Sequence, residues 1–429
     1  MANLPLQANP RVVTTVGETF ADGSVLELLT SPSSGRLRLL FHSAGRKKNA
    51  KQVEYSHRIY QPPNLDEAIV RAIRFPHDAK PYGSTKKLLC RIRELFERHA
   101  GLPQPESALL TAWATSSWFS DCLSSPPTLL ISGADMGHAI TLFRLLQCLC
   151  RRPVVLGDLN RAAFLSLTAL GATLLINQPS LSARIRDLWS TSNYRDVYVF
   201  GNGKLRSAAS SKAVFLGMGD ARDDEGIHFA LPPARCDVSP LDEKQRSEIA
   251  SELQSQLLMY RLRNLDTVRD FSARGNRSTF GGTEVARDLA ASILEEPEIL
   301  ELIAPLLQRL EQDKSAQLSC DVHRAMIEVT WAPSHEQQEI SVSRLTELAN
   351  TLLRCRGELL EYSTAEIGWK LRNLGFDRHR NGKGMVLRFS HENRLLIHQL
   401  AVAWSLKLGA RARCALCSPQ ESVDSKKPM

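Results

Sequence analysis

The sequence predicts an α/β protein: a parallel-sheet core, preceded by a small β-rich region and followed by long helices and a C-terminal module of two helices and a hairpin. Three observations predict this. Short apolar runs alternate with helical stretches between Thr128 and Leu216, and buried strands joined by helical crossovers make a parallel sheet. Apolar runs separated by turn chemistry fill the first 75 or so residues. Beyond residue 319 two helix patterns lead into a hairpin pattern.

Composition sets the frame. A chain of 429 residues, 43% hydrophobic and 23% charged, is ordinary globular protein with room for several domains. Its 54 basic against 46 acidic residues give +8, compatible with a nucleic-acid partner without requiring one. Nine scattered cysteines, an odd number in apolar surroundings, argue against a secreted disulfide framework. The N-terminus has neither a basic nor an apolar signal region, and Asp135, His138 and Arg144 interrupt the longest apolar stretch. The expectation is a reduced, soluble, cytoplasmic protein with no membrane association.

The elements follow in order. Residues 1–78 form the β-rich region, with strands at Val25 to Leu29, Leu37 to Phe41 and Val53 to Tyr60. The basic stretch Arg46, Lys47, Lys48 and Lys51 reads as a solvated hairpin tip, with a phosphate contact as the alternative. Residues 79–125 are a helical lead-in, with Leu88, Leu89, Ile92, Leu95 and Phe96 at three- and four-residue steps. The core, 126–238, has strand candidates Thr128–Ile131, Val154–Leu156, Thr173–Ile176, Val197–Phe200 and Ala213–Leu216. Helices near Ile140–Cys150, Arg161–Leu170 and Leu181–Trp189 fall between them. Residues 239–318 form a helical lid, with amphipathic helices at 239–264 and 283–312.

Residues 319–408 read as a winged helix-turn-helix. Leu345, Leu348, Leu352 and Leu353 make one stripe, and Ser363-Thr-Ala-Glu366 is a capping box opening a second helix. Asp377 to Phe389 is the wing, with Asn381-Gly382 as its turn, and Glu392 to Leu406 is the last helix. Residues 409–429 are a flexible tail, too polar at the end to order themselves.

The most informative segment runs from Thr128 into the following helix. Its strand–loop–helix order matches a P-loop, G-x-x-x-x-G-K-[ST], whose amides and helix N-terminus hold phosphate while the lysine neutralises it. Here Ser132 replaces the first glycine, Gly133 and Gly137 shape the loop, His138 stands in the lysine position and Ala139 in the magnesium-binding hydroxyl position. Asp135 adds a negative charge within the loop. The strand that should end in a metal-holding acidic pair ends instead in Asn177-Gln178. Two motifs have lost their charged members together, so the expectation is a pseudo-NTPase with no cofactor, or weak nucleotide binding at most. A divergent active enzyme is the alternative.

The lead-in Tyr82-Gly-Ser-Thr-Lys-Lys-Leu-Leu, Leu110-Thr-Ala-Trp and Trp118-Phe-Ser-Asp121 carries a further resemblance. It continues through Pro127-Thr-Leu-Leu-Ile, Leu142-Phe-Arg-Leu-Leu, Cys150-Arg-Arg-Pro153 and Thr173-Leu-Leu-Ile-Asn-Gln. Over about residues 80–310 the chain resembles the P-loop NTPase module of bacterial and phage primase–helicase-like proteins of mobile elements. The resemblance implies a bacterial protein linked to mobile-element DNA replication. The departures at His138, Ala139, Asn177 and Gln178 keep the family's ATPase and helicase activity from carrying over.

In the winged helix, Trp369, Lys370, Arg372 and Asn373 on the recognition helix are candidate DNA contacts, as are Arg378, Arg380, Lys383 and Arg388 on the wing, with His379 beside them. DNA is the expected partner; a protein partner and an oligomer are alternatives. Arg261 and Arg263 read as lid arginines or surface charges, and Asp220, Asp223 and Asp224 as a solvated turn. Cys414-Ala-Leu-Cys417 could be half a zinc site, but no second pair lies nearby in the sequence. His391 and His398 read as surface and packing residues, so no metal is expected.

Overall fold

The computed structural model describes residues 11–178, 185, 188–189, 192–195, 197–201, 204–217, 226–234, 241–273, 284–319, 321–358, 360–382, 384–404, 406–409, 414 and 416–417. The chain divides into two compact units, Met1–Leu310 and Glu311–Met429. Among the described residues no helix is long and apolar enough to cross a membrane.

The first unit opens with seven strands: β1 (Arg11–Thr14), β2 (Gly17–Thr19), β3 (Val25–Thr30), β4 (Leu37–Ser43), β5 (Arg46–Ala50), β6 (Val53–Tyr55) and β7 (Arg58–Gln61). They form the sheets β2-β3-β4-β5 and β1-β7-β6. The stretch Val53 to Tyr60 is two strands rather than one. Ser56 and His57 have φ of 48° and 60° and turn the chain back, so that Tyr55 pairs with Arg58. The basic stretch differs too: it is an exposed edge strand, and the tip falls at Ala44-Gly45, where φ is 48° and 74°. Lys47 is held there by the Asp78 carboxylate at 2.9 Å and the Ala79 carbonyl at 2.6 Å.

After α1 (Glu67–Ala72) come the two lead-in helices, α2 (Thr85–Ala100) and α3 (Gln104–Ser116). Ser84 caps α2 by accepting from the Lys87 amide, and Gly101 ends it at φ 60°, a left-handed conformation that suits glycine. The indoles of Trp113 and Trp118 donate to the carbonyls of Pro127 and Leu149, tying the lead-in to the core.

The core comprises β8 (Thr128–Ser132), α4 (Met136–Leu149), β9 (Pro153–Leu156), α5 (Arg161–Thr168), β10 (Thr173–Ile176), β11 (Tyr198–Gly201), β12 (Lys204–Ser207), β13 (Lys212–Phe215) and β14 (Ile227–Ala230). Five of the strands form a parallel sheet in the order β14-β8-β13-β10-β9, an α/β arrangement. Its inner strands β8, β13 and β10 are buried on both faces: Leu129 and Ile131 pack with the helices, Leu130 with the N-terminal sheets and α5. Two expectations are corrected. Val197–Phe200 does not enter the sheet but pairs with β12 as an antiparallel hairpin, and the fifth sheet strand is Ile227–Ala230. Of the helix expected at Leu181–Trp189, most lies outside the described residues.

The following helices are α6 (Glu243–Ala273), α7 (Glu284–Ser292) and α8 (Pro297–Ser319). The single helix expected at 283–312 is two, broken where Leu294 and Glu295 both have φ of 53°. Nor is α6 a cover over the core. Its Leu253, Leu257, Leu258 and Tyr260 share one buried cluster with Leu142, Phe143 and Leu146 of α4.

The second unit contains α9 (Val322–Glu336), β15 (Glu339–Ser341), α10 (Val342–Cys355), α11 (Thr364–Asn373), β16 (Arg378–Asn381), β17 (Gly384–Arg388) and α12 (His391–Ala403). The capping box forms: Ser363 Oγ accepts from the Glu366 amide, and the Glu366 carboxylate accepts from the Ser363 amide. The three strands make the antiparallel sheet β15-β17-β16. Ile367 and Leu371 of α11 pack with Leu345, Leu353, Leu387 and Ile397 in one core.

Candidate functional site

In an open α/β sheet ligands sit beyond the carboxyl ends of the strands, where the connections diverge. Here the chain leaves β8 for β9 on one side and, after β13, crosses back to β14 on the other. That point is the end of β8, where the P-loop-like residues lie.

Their polar groups are already engaged. The Gly133 amide donates to the Gly217 carbonyl at 2.8 Å, and the Ser132 carbonyl accepts from the Leu231 amide at 2.7 Å. A β-carbon at Gly133 would stand 3.2 Å from that of Leu231, so the glycine is needed for close packing of two chain segments. Asp135 caps α4: its Oδ1 accepts from the His138 amide at 3.1 Å, and its charge occupies the helix N-terminus where a phosphate would sit. Gly137 lies within the first turn of α4.

The His138 side chain is buried, and its ring bridges the carbonyls of Pro232 (Nδ1, 3.0 Å) and Ala100 (Nε2, 2.9 Å). It ties α4 to the end of α2 and to the segment after β14. Ala139 is fully buried.

Asn177 and Gln178 lie at the same sheet edge, two strands from β8. The register aligns Ile176 with Val214, and Val214 with Leu130, so both motifs are adjacent to a single strand-end line. The Asn177 amide extends the ladder by donating to Leu156 O at 2.8 Å. Asn177 Oδ1 and Gln178 Oε1 are buried and have no hydrogen-bond partner among the described residues. A cavity of about 560 Å³ lies elsewhere, lined by Thr14, Lys51, Gln52, Gln61, Pro62 and Asn64, and contains none of these residues.

Arg261 is neither a lid nor a surface residue. It is buried in an ion cluster with Glu27, Asp121, Arg151 and Arg152. Arg261 Nε donates to Glu27 at 2.8 Å and its Nη2 to Asp121 at 2.6 Å, while Arg152 reaches Glu27 at 2.6 Å. Burial alone would raise the Glu27 carboxyl, but the three guanidiniums hold it below its ordinary value. Arg263 is exposed and lies over the Tyr82 ring at 5.6 Å. Asp220, Asp223 and Asp224 lie outside the described residues.

In the second unit Trp369 is 62% exposed, and Arg372, Asn373, Arg380 and Arg388 are exposed beside it in the sequence. Two candidates are otherwise engaged. Arg378 donates to the Gly368 carbonyl, fastening the hairpin to α11, and Lys370 lies over the Tyr362 ring at 5.5 Å. Arg388 Nη2 is 3.4 Å from His379 Nε2. Lys383 lies outside the described residues.

Sequence reasoning missed two features. The β11–β12 hairpin exposes Tyr198, Phe200 and Leu205, with Phe200 directly opposite Leu205; its signal was Gly201-Asn202-Gly203, strong turn chemistry. Cys414 and Cys417 do have further potential ligands near them: His398, which the sequence offered 16 residues before Cys414 and which reads there as a packing residue, and His335, which lies far away in sequence.

No protein-family model and no curated protein matches the chain. Among solved structures it is similar to the apo C-terminal region of NrS-1, with TM-score 0.36, 9% identity and coverage of 84% of this chain and 95% of that one. It is also similar to a full-length MCM homolog from Methanopyrus kandleri, with TM-score 0.32, 13% identity and coverage of 66% and 74%. Drosophila ORC bound to DNA gives TM-score 0.18 and 14% identity, with coverage of 79% and 95%.

Proposed function

We propose that this protein is a non-hydrolysing DNA-binding accessory or regulatory protein, built on a degenerate P-loop NTPase-like core and linked to mobile-element DNA replication. The observation that carries the non-hydrolytic part is the engagement of the P-loop-like residues. The Gly133 amide and, at the α4 N-terminus, the His138 amide have partners within the protein, and both ring nitrogens of His138 lie within 3.0 Å of backbone carbonyls. His138 and Ala139 stand where the lysine and the magnesium-binding hydroxyl belong, and Asn177-Gln178 where the acidic pair belongs. Any nucleotide is therefore held weakly.

Residues 319–408 are the DNA-binding part, a winged helix with α11 as recognition helix and β16–β17 as wing. From Trp369 to Arg388 there are six basic residues, Lys370, Arg372, Arg378, Arg380, Lys383 and Arg388, against one acidic residue, Asp377. Exposed Arg372, Arg380 and Arg388 suit phosphates, and Trp369 and Asn373 suit bases. The link to mobile elements rests on the sequence resemblance of residues 80–310.

Two measurements test this reading. Phosphate release with ATP and Mg²⁺ is expected at background, with and without DNA; robust turnover abolished by His138→Ala would establish the divergent ATPase instead. Fluorescence anisotropy with duplex and single-stranded DNA is expected to show salt-dependent binding. Binding indifferent to charge reversal at Arg372 and Arg380 would assign this face to a protein partner.

A further inference from the structure

We propose a structural zinc site in the second unit, formed by His335, His398, Cys414 and Cys417. One potential ligand atom from each of the four lies within 4.8 Å of the others. His335 is in the last turn of α9 and His398 in α12; the cysteines follow α12. Cys417 donates its amide to the Cys414 carbonyl at 3.1 Å, a turn that brings both sulfurs to one side.

The spacing fits a tetrahedral ion. With Zn–S near 2.3 Å and Zn–N near 2.0 Å, sulfur and nitrogen ligands of one zinc stand about 3.5 Å apart. His335 Nε2 is 3.3 Å from Cys417 Sγ, and His398 Nε2 is 3.6 Å from Cys414 Sγ. The rings are also oriented for coordination. His335 Nδ1 is 2.6 Å from the Trp331 carbonyl, which accepts a hydrogen bond from the Nδ1–H tautomer and leaves the Nε2 lone pair toward the sulfurs, as the outer partners of metal-bound histidines do. Trp331 packs against both rings, at 5.0 and 4.5 Å, and its indole donates to Gly409 O at 3.0 Å.

Two thiolates and two imidazoles form a borderline-soft set suited to zinc, and four protein ligands leave no open position for substrate. The ion is therefore structural. It fastens the segment after α12 to α9, joining residues 82 positions apart.

The test uses the full chain, purified under reducing conditions and supplied with zinc. Elemental analysis is expected to give one zinc per chain, and less than a tenth of that in a Cys414→Ser/Cys417→Ser variant. Cobalt(II) exchanged into the native protein should give the visible bands of a tetrahedral site and a sulfur-to-cobalt charge-transfer band. That band should weaken in Cys414→Ser alone and shift without loss of sulfur character in His398→Cys. Should the double variant fail to fold, zinc release from the native chain by a mercurial thiol reagent, followed with a chromophoric chelator, gives the same answer. The proposal is overturned by a chain that retains no zinc, by equal zinc in native and variant proteins, by an octahedral cobalt spectrum, or by a Cys414–Cys417 disulfide under those conditions.

Discussion

The strand-end edge of the first unit and the α11–hairpin face of the second both hold residues of the right chemical type for a ligand, yet their polar groups are differently occupied. At the end of β8, the Gly133 amide, the Asp135 carboxylate and the His138 imidazole bond to one another or to backbone, while two strands away Asn177 Oδ1 and Gln178 Oε1 stay without a partner among the described residues. On the second unit, Trp369, Arg372, Asn373 and Arg380 face solvent. A motif's letters thus say less about binding than the donors left over once the fold has taken what it needs. In the first unit, substitutions of polar residues should cost stability. In the second, substitutions on this face should cost binding.

The strongest way to break that contrast is at Glu27. Glu27→Gln leaves Arg151 and Arg261 to share Asp121 and Arg152 without a carboxylate, and breaking a buried ion cluster costs about 3–5 kcal/mol. Chemical denaturation of the variant should show a loss of that size; a near-neutral result would mean that the arginines find other partners.

Asp288 is next. Burial raises its carboxyl to about 6, against the opposing Ser272 hydroxyl and Ser125 amide. Its folded value exceeds its unfolded one, so its stabilising contribution is complete below about pH 4 and is lost as pH rises through 6. Two units correspond to about 3 kcal/mol. Stability should fall across that window, and Asp288→Asn should flatten the fall; an unchanged pH profile would exclude Asp288 as its source.

His138→Ala strands the carbonyls of Ala100 and Pro232 and should cost about 1–3 kcal/mol without changing phosphate release. The companion His138→Lys/Ala139→Ser restores the motif's lysine and hydroxyl and should still show no ATP hydrolysis, because Asp135 keeps its charge at the helix N-terminus and Asn177-Gln178 remain in place of the acidic pair. Turnover in that variant would show that the strand-end edge is open after all.

The smallest expected effect in free energy is at the second face. Arg372→Glu and Arg380→Glu should leave the unfolding midpoint unchanged, while each lowers the salt slope of DNA binding by about 1. A shift in midpoint with no change in slope would make these arginines structural.

Much of this was legible from local chemistry. The β8–α4 passage and the Ser363–Glu366 capping box depend on neighbours a few residues apart, and each formed where the pattern placed it, while the hairpin turn fell one residue later than Asn381-Gly382, with Asn381 paired to Gly384 at the end of β16. What was hidden depends on distance. Nothing near His138 in sequence announces bonds to Ala100 and Pro232, and nothing near Cys414 announces His335. Ile227–Ala230 buries alternate residues at a sheet edge, a weaker signal than the continuous apolar runs of the inner strands. Val197–Phe200 has a buried strand's composition but exposes Tyr198 and Phe200, so composition alone assigned it to the wrong sheet.

The Glu27 cluster bears on how this protein can be rearranged over generations. Its acidic centre comes from the first sheet, and its arginines come from the passage after α4 and from α6. A crossover at residue 78, where the β-rich region ends in sequence, would separate Glu27 from the three arginines that it neutralises. A replacement cassette would have to bring its own carboxylate to the same buried place. The first sheet and the α/β core are therefore best exchanged together, as one piece that keeps Glu27 with its arginines.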